Sequence, residues 1–192
     1  MSRSALAYAL AATLAACAHA PREPRGDAPG AAFFAMMQRH CGKAYAGKLV
    51  EGTAPGDAAI GAERLIMHVR DCSDDKLEIP FHVGDDRSRT WIVTRRDADV
   101  LLKHDHRHED GSPDAVTQYG GATRGSAETS ALEFHADAAT AAMIPAARTN
   151  IWTMTIEPGV RFTYALRRDA ENRRFRVDFD LAQPVAVPPA AW

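Results

Sequence analysis

Three of the chain's eight histidines lie within five residues, at alternating positions: His104, His106 and His108. In an extended strand alternate side chains share a face, so neighbouring members would lie about 6.6 to 7 Å apart at Cα and two rings could converge on one metal ion. Glu109 and Asp110 follow and could add oxygen ligands or orient a ring through its second nitrogen. The spacing therefore permits a divalent transition metal site at these three histidines.

The same cluster has two other interpretations, and the sequence leaves all three open. Val100 and Leu102 share the face of His104, which makes that face the inner one in an extended strand. The histidines would then line a pocket for an organic ligand. Alternatively, with Asp105 and Arg107 they would form a structural network of hydrogen bonds.

A second group of residues has the types that bind an anionic or planar ligand. Arg89 lies two positions from Trp91, and Tyr119 precedes Gly120 and Gly121, which permit close backbone approach. An ordinary hairpin edge and bulge would use the same residues. The candidate ligand-binding residues are therefore Arg89, Trp91, His104, His106 and Tyr119.

Signatures of catalysis are absent from the sequence. It contains no G-x-S-x-G elbow, Walker loop or H-E-x-x-H motif, and we identify no catalytic residue, which favours a protein that is not an enzyme. Lys and Arg number 23 against 25 Asp and Glu, a net charge of −2, so no broad basic surface exists for nucleic acid. No cofactor is indicated beyond the possible metal.

The candidate binding residues must be positioned by secondary-structure elements. The strongest secondary-structure pattern in the sequence is that of β-strands. Residues 161–167 and 174–181 alternate polar with apolar, which predicts two half-buried antiparallel strands joined by the polar turn 168–173. The arginines of this pair are predicted to form a solvated face: Arg161, Arg167, Arg168, Arg173, Arg174 and Arg176. Weaker strand-like runs occur at 43–51, 63–71, 76–83, 89–96, 98–107, 115–120, 131–135 and 150–157.

The number and spacing of these runs predict the fold class. They favour an all-β, mainly antiparallel fold with a single barrel of about 8–10 strands, and a β-sandwich is the alternative. Residues 31–40 have apolar residues at helical spacing and predict a short helix before the first strand. That helix, followed by Gly42 and Tyr45, resembles the opening of calycin (lipocalin-like) barrels, although the family's motif is Gly-x-Trp and Tyr45 stands at a different spacing.

The N-terminus has the pattern of an export signal. One positive charge, at Arg3, precedes an apolar run from Ala5 to Ala16 that is too short to span a bilayer. The run ends in Leu-Ala-Ala-Cys at 14–17, which resembles the bacterial lipobox. That resemblance implies that Cys17 is lipidated and anchors the protein to the periplasmic face of the outer membrane. Cleavage after Ala20 would instead give a soluble periplasmic or secreted protein.

Export to an oxidising compartment would affect the remaining two cysteines. Cys41 and Cys72 form an even pair, which in an oxidising compartment predicts a disulfide. The predicted organisation is a signal peptide at 1–16, the lipidated Cys17 with a flexible tether to residue 30, a barrel domain at 31–183, and a Pro-rich tail at 184–192.

The segments 80–91, 103–111 and 119–121 resemble a family of exported bacterial proteins, which implies export and no particular activity. The sequence therefore favours an envelope lipoprotein that binds a small apolar or amphipathic molecule. The alternatives are a metal-binding protein or metalloenzyme using the three histidines, and a scaffold without a ligand. The expected partners are the membrane, through the N-terminal lipid, and a small hydrophobic ligand; the oligomeric state stays open.

Overall fold

A computed structural model describes residues 29–124 and 130–192 of the chain. The predicted signal peptide, Cys17 and the tether as far as residue 28 lie outside the described residues. The strands in the described part are β1 (Ala44–Gly52), β2 (Leu65–His68), β3 (Asp71–Cys72), β4 (Lys76–Val83), β5 (Asp86–Arg95), β6 (Val100–His106), β7 (Tyr119–Thr123), β8 (Ala131–Ala136), β9 (Ile151–Glu157), β10 (Arg161–Arg168) and β11 (Arg173–Val185).

The strands form a closed barrel of ten antiparallel strands. Their order is β2-β1-β11-β10-β9-β8-β7-β6-β5-β4, with β3 paired to β4, and pairing of β2 with β4 closes the ring. A sandwich would have left two separate sheets, so the predicted calycin-like barrel is confirmed and the sandwich alternative is wrong. The alternation predicted for the last hairpin is also present, since Phe162, Val177 and Phe179 are fully buried.

Helix α1 (Ala31–Gln38) confirms the short helix predicted at 31–40, and it closes one end of the barrel. Its Phe33, Phe34 and Met37 are buried among the core residues at the start of β6 and β8. The predicted disulfide is confirmed: Cys41, just after α1, is bonded to Cys72 of β3. This bond ties the helix to the sheet that it covers.

The opposite end carries two further helices and two 3-10 turns. They are α2 (Asp57–Ala62), α3 (Ala138–Met143), the turn Pro145–Ala147 and the turn Asp169–Glu171 between β10 and β11. The sequence analysis did not predict α2, whose six residues are too few for a periodic signal.

Several boundaries differ from those expected, and the single run expected at 63–71 is divided into β2 and the short β3. The strand expected at 115–120 is instead β7 at Tyr119–Thr123, because Gly120 and Gly121 lie inside the ladder rather than in a turn. At the C-terminus β11 continues to Val185, and the last residues then fold back, where the Trp192 amide donates to the Arg87 carbonyl at 3.2 Å.

Within the part of the chain that the structure describes, no helix combines the length and the apolar character needed to cross a bilayer.

Candidate functional site

A cavity of about 310 Å³ lies inside the barrel at the end opposite α1. Strands β4, β5, β6, β7, β9, β10 and β11 form its walls, and α2 and the segment between α3 and β9 border it. The lining residues are Asp57, Ile60, Phe81, Arg89, Thr90, Trp91, His104, His106, Tyr119, Ile144, Ala146, Ala147, Asn150, Trp152, Tyr164, Leu166, Arg168, Arg173 and Phe175.

The inner part of the cavity is aromatic. Trp91 lies between two rings, with centroid distances of 5.0 Å to Phe81 and 4.3 Å to Tyr164, both nearly parallel. On its other side Trp91 contacts Phe162 and Phe179 of the packed core. The tryptophan therefore separates the filled half of the barrel from the cavity.

His104 lies in the wall of the cavity and has both ring nitrogens in hydrogen bonds. Its Nδ1 is 3.1 Å from the carbonyl oxygen of Tyr119, which can only accept, so Nδ1 carries the proton. Its Nε2 therefore accepts from the Tyr164 hydroxyl at 2.7 Å. Burial lowers the pKa of His104 to about 3. The ring is consequently neutral at physiological pH and fixes the orientation of the Tyr164 hydroxyl.

His106 and Tyr119 form a second polar pair nearer the rim. His106 Nε2 lies 3.1 Å from the Tyr119 hydroxyl, and the Tyr119 ring stacks on His104 at 4.6 Å. Burial lowers the pKa of His106 and raises that of Tyr119 to about 12. Both side chains are uncharged near neutral pH, so they offer hydrogen bonds without charge.

Three arginines line the cavity, and each has at least one carboxylate partner. Arg89 Nη1 donates to Asp86 at 2.7 Å, and Arg168 Nη1 lies 2.7 Å from Glu171. Arg173 donates to both carboxylate oxygens of Asp57, at 2.5 and 2.9 Å. This last pair is buried and attaches α2 to the start of β11.

All five candidate ligand-binding residues line this one cavity: Arg89, Trp91, His104, His106 and Tyr119. They come from three neighbouring strands whose pairing places Arg89 opposite His106, Trp91 opposite His104, and His104 opposite Tyr119. The expected inner face of β6 is thus present, with Val100, Leu102 and His104 buried.

The structure does not bring the three cluster histidines together. His108 is exposed, follows the end of β6 and does not line the cavity. Among residues 29–124 and 130–192 no group of three or more His, Cys, Asp or Glu side chains is placed to hold a metal ion. The neighbouring acid Asp105 instead accepts from Arg107 Nε at 2.8 Å and Gln118 Nε2 at 2.6 Å, which holds the loop after β6.

Sequence reasoning missed part of the lining. Arg168 and Arg173, expected on a solvated face, have side chains only 21% and 16% exposed and line the cavity. The expectation was wrong because these residues were assigned to the turn. The alternation of inward and outward positions along each strand would have predicted this lining. Arg168 continues the inward series of positions 162, 164 and 166, and Arg173 precedes the inward series 175, 177 and 179.

A second crevice lies on the outside of the barrel, under the returning C-terminal segment. It has a volume of about 770 Å³ and is bordered by His82, Arg87 and Trp192. Burial lowers the pKa of His82 to about 4. Arg87 packs over the Trp192 ring at 5.6 Å and donates to the Ala190 carbonyl. We therefore interpret this crevice as the gap between the barrel and the C-terminal segment that packs against it.

Comparison with known proteins returns no protein family, no curated protein and no solved structure that matches this chain.

Proposed function

We propose that the barrel binds a small amphipathic molecule in the cavity at the end opposite α1, beyond Trp91. One observation carries the proposal: about 310 Å³ of space is lined by six aromatic side chains and a few convergent polar groups. Small-molecule sites are typically concave, mostly apolar and about 300–1,000 Å³ in volume, with few polar groups for orientation. The volume is at the lower end of this range and favours a ligand of about two fused rings.

The arrangement of the polar groups supports the proposal. His104 and Tyr164 hold each other at 2.7 Å, and His106 and Tyr119 lie within 3.1 Å, so the donors and acceptors at the wall have fixed directions. A wall whose side chains are already ordered loses little conformational entropy when a ligand binds. The cavity is therefore suited to selective binding of a rigid molecule.

Intrinsic fluorescence provides the test, because Trp91 and Trp152 line the cavity and Trp192 lies outside it. In a Trp192→Phe variant the emission reports only on the cavity. Titration with naphthalene derivatives that carry neutral, anionic or cationic groups should change this emission saturably for at least one of them. Absence of saturable binding across the set, confirmed by calorimetry, would contradict the proposal.

A cavity-filling variant and a matched surface variant test whether the ligand binds in the cavity. Ala147→Phe places a ring in the cavity and should weaken binding at least tenfold, whereas Ala142→Phe, at an exposed position of α3, should leave binding unchanged. Leu166→Trp serves as a second filling variant if Ala147→Phe does not fold. Equal binding by a folded filling variant and the wild type would place the ligand elsewhere.

We also propose that this binding takes place in the cell envelope. The Cys41–Cys72 disulfide supports an oxidising compartment, where such bonds persist. Mass spectrometry of the mature N-terminus tests this: a diacylated Cys17 is expected, and Cys17→Ser should abolish it. A mature chain that begins at Met1 in the cytoplasm would contradict the proposal.

A further inference from the structure

Two buried polar atoms in the cavity wall have no hydrogen-bond partner within the described protein. They are Nε of Arg168 and Oδ1 of Asn150, and Asn150 is 8% exposed. A buried donor or acceptor without a partner costs free energy, and native proteins contain few of them. Both residues line the cavity, so a bound molecule could supply the missing partners.

The two groups lie on the same wall, against the 3-10 turn Pro145–Ala147. Arg168 Nη1 donates to the carbonyl oxygen of Ala146 at 2.7 Å. The backbone amide of Asn150 donates to the carbonyl oxygen of Ala147 at 2.9 Å. Adjacent residues of one short turn therefore hold the side chain of Arg168 and the backbone of Asn150, and together Arg168 and Asn150 form what we call the polar wall.

The charge of the lining favours an anion. The lining contains three arginines but one carboxylate, that of Asp57, which binds Arg173 through both oxygens. The carboxylates that pair with Arg89 and Arg168 lie outside the lining. Glu171 lies beside Nη1 of Arg168, and the Nε of Arg168 has no hydrogen-bond partner among the described residues. A carboxylate on the ligand is the acceptor that suits a buried guanidinium best, because charge-assisted hydrogen bonds are the stronger ones.

The rest of the cavity favours a flat body. The cavity is lined by six aromatic side chains: Phe81, Trp91, Tyr119, Trp152, Tyr164 and Phe175. An aromatic ring of the ligand can stack on such side chains or meet them edge to face.

Building on the proposed binding function, we infer that the ligand is a flat aromatic acid that also carries an N–H or O–H donor. Its carboxylate accepts from Arg168 Nε, its donor group binds Asn150 Oδ1, and its ring lies among the aromatic side chains of the cavity. Arg168 and Asn150 are thus the residues that determine the chemical class of the ligand.

Calorimetry with three probes of nearly equal shape tests this inference on the folded, oxidised protein. Indole-3-acetate has the flat ring, the carboxylate and the N–H; indole-3-acetamide lacks the charge; naphthalene-1-acetate lacks the N–H. We expect indole-3-acetate to bind at least tenfold more tightly than the amide and at least threefold more tightly than the naphthalene acid.

Matched variants assign each preference to its residue. Arg168→Gln should remove the preference for the charged probe, whereas Arg167→Gln, the outward neighbour paired with Glu133, should keep it. Asn150→Ala should remove the preference for the N–H, whereas Thr149→Ala, at the exposed position before it, should keep it. Melting temperatures confirm that each variant is folded.

The outcomes separate this inference from the proposed function. Binding of the amide as tight as that of the acid, or a preference that survives Arg168→Gln, overturns the anionic class and leaves the binding function standing. Binding of neutral naphthalene derivatives without any of the three probes also overturns it. If no compound in either experiment binds, both proposals are wrong.

Discussion

At the scale of single residues, burial determines the charge of the site. His104 is 4% exposed and lies between Tyr119, Trp152 and Tyr164. A protonated imidazole at this position would be a charge without contact with water, which is unfavourable. Protonation of Nε2 would also remove the acceptor of the Tyr164 hydroxyl. The histidine is therefore a neutral hydrogen-bonding group, and the positive charge of the cavity belongs to its arginines.

Acid should destabilise the protein through this histidine. Its pKa is about 3 in the fold and about 6.5 in an unfolded chain, so between these values the unfolded state binds more protons and stability falls as the pH falls. The expected loss is up to about 1.4 kcal/mol per pH unit in this window, measured by urea unfolding from pH 7 to 4. His104→Gln should flatten the profile, and His108→Gln, the exposed control, should not. Equal slopes in both variants would refute the assignment.

The Asp57–Arg173 pair should contribute more to stability than the surface ion pairs. Its side chains are 6% and 16% exposed, and Asp57→Ala would leave a mostly buried guanidinium without its carboxylate. Such a loss typically costs about 3–5 kcal/mol in the free energy of unfolding. Glu133→Ala breaks the more exposed pair with Arg167 and should cost about 0–1 kcal/mol. Similar costs for the two variants in chemical denaturation would contradict this ranking.

At the scale of elements, β7 shows how closely the site's strands are packed. A Cβ atom at Gly121 would lie 1.7 Å from the carbonyl oxygen of His135 in β8, and one at Gly120 would lie 2.0 Å from that of Leu102 in β6. Only glycine allows the neighbouring backbones to approach this closely. The strand that carries Tyr119 into the cavity therefore depends on both glycines.

Gly121→Ala should consequently destabilise the barrel strongly, by about 3 kcal/mol or more, because backbone rather than a side chain must move. Gly56→Ala is the matched control, since a Cβ there meets nothing within 4 Å. The melting temperatures of the two variants should differ by about 6–12 °C or more, since 1 kcal/mol corresponds to about 2–4 °C for a domain of this size. A Gly121→Ala protein as stable as the control would contradict the close approach of β7 to β8.

Strand periodicity explains how much of this could be predicted from the sequence. Alternation over 161–167 and 174–181 predicted which side chains are buried, and the parity of β6 predicted that His104 lies inside. The same rule was not extended through the hairpin, so Arg168 and Arg173 were missed. Trp152 and Asn150 reach the cavity only because β8 and β9 close against β10, and such long-range closure has no local signal.

At the scale of the whole molecule, one covalent bond links the closing helix to the barrel. The Cys41–Cys72 disulfide joins residues 31 apart in sequence. In the chain-entropy account a loop of this size stabilises the fold by about 3–4 kcal/mol, because the bond restricts the unfolded chain. The buried side chains Phe33, Phe34 and Met37 also attach the helix to the end of the barrel.

Replacement of both cysteines by serine should therefore lower the free energy of unfolding by about that amount without opening the ring of strands. Denaturation with and without reductant measures the loss, and far-ultraviolet circular dichroism reports on the strands. The double variant itself, insensitive to reductant, is the control. Loss of the β signal in the reduced protein at low temperature would mean that the barrel cannot close without the bond.

The position of α1 also has a geometric consequence for how the protein would meet a membrane. Gly30, where the described chain enters α1, lies beside Val100 and Leu132 at the closed end, and the cavity is at the other end. A lipid on Cys17, as the sequence predicts, would be joined to that closed end through residues 18–30, which reach at most ~45 Å at about 3.5 Å per residue. The anchor would then be attached to the end of the barrel away from the cavity, so attachment itself would leave the cavity open to the aqueous space.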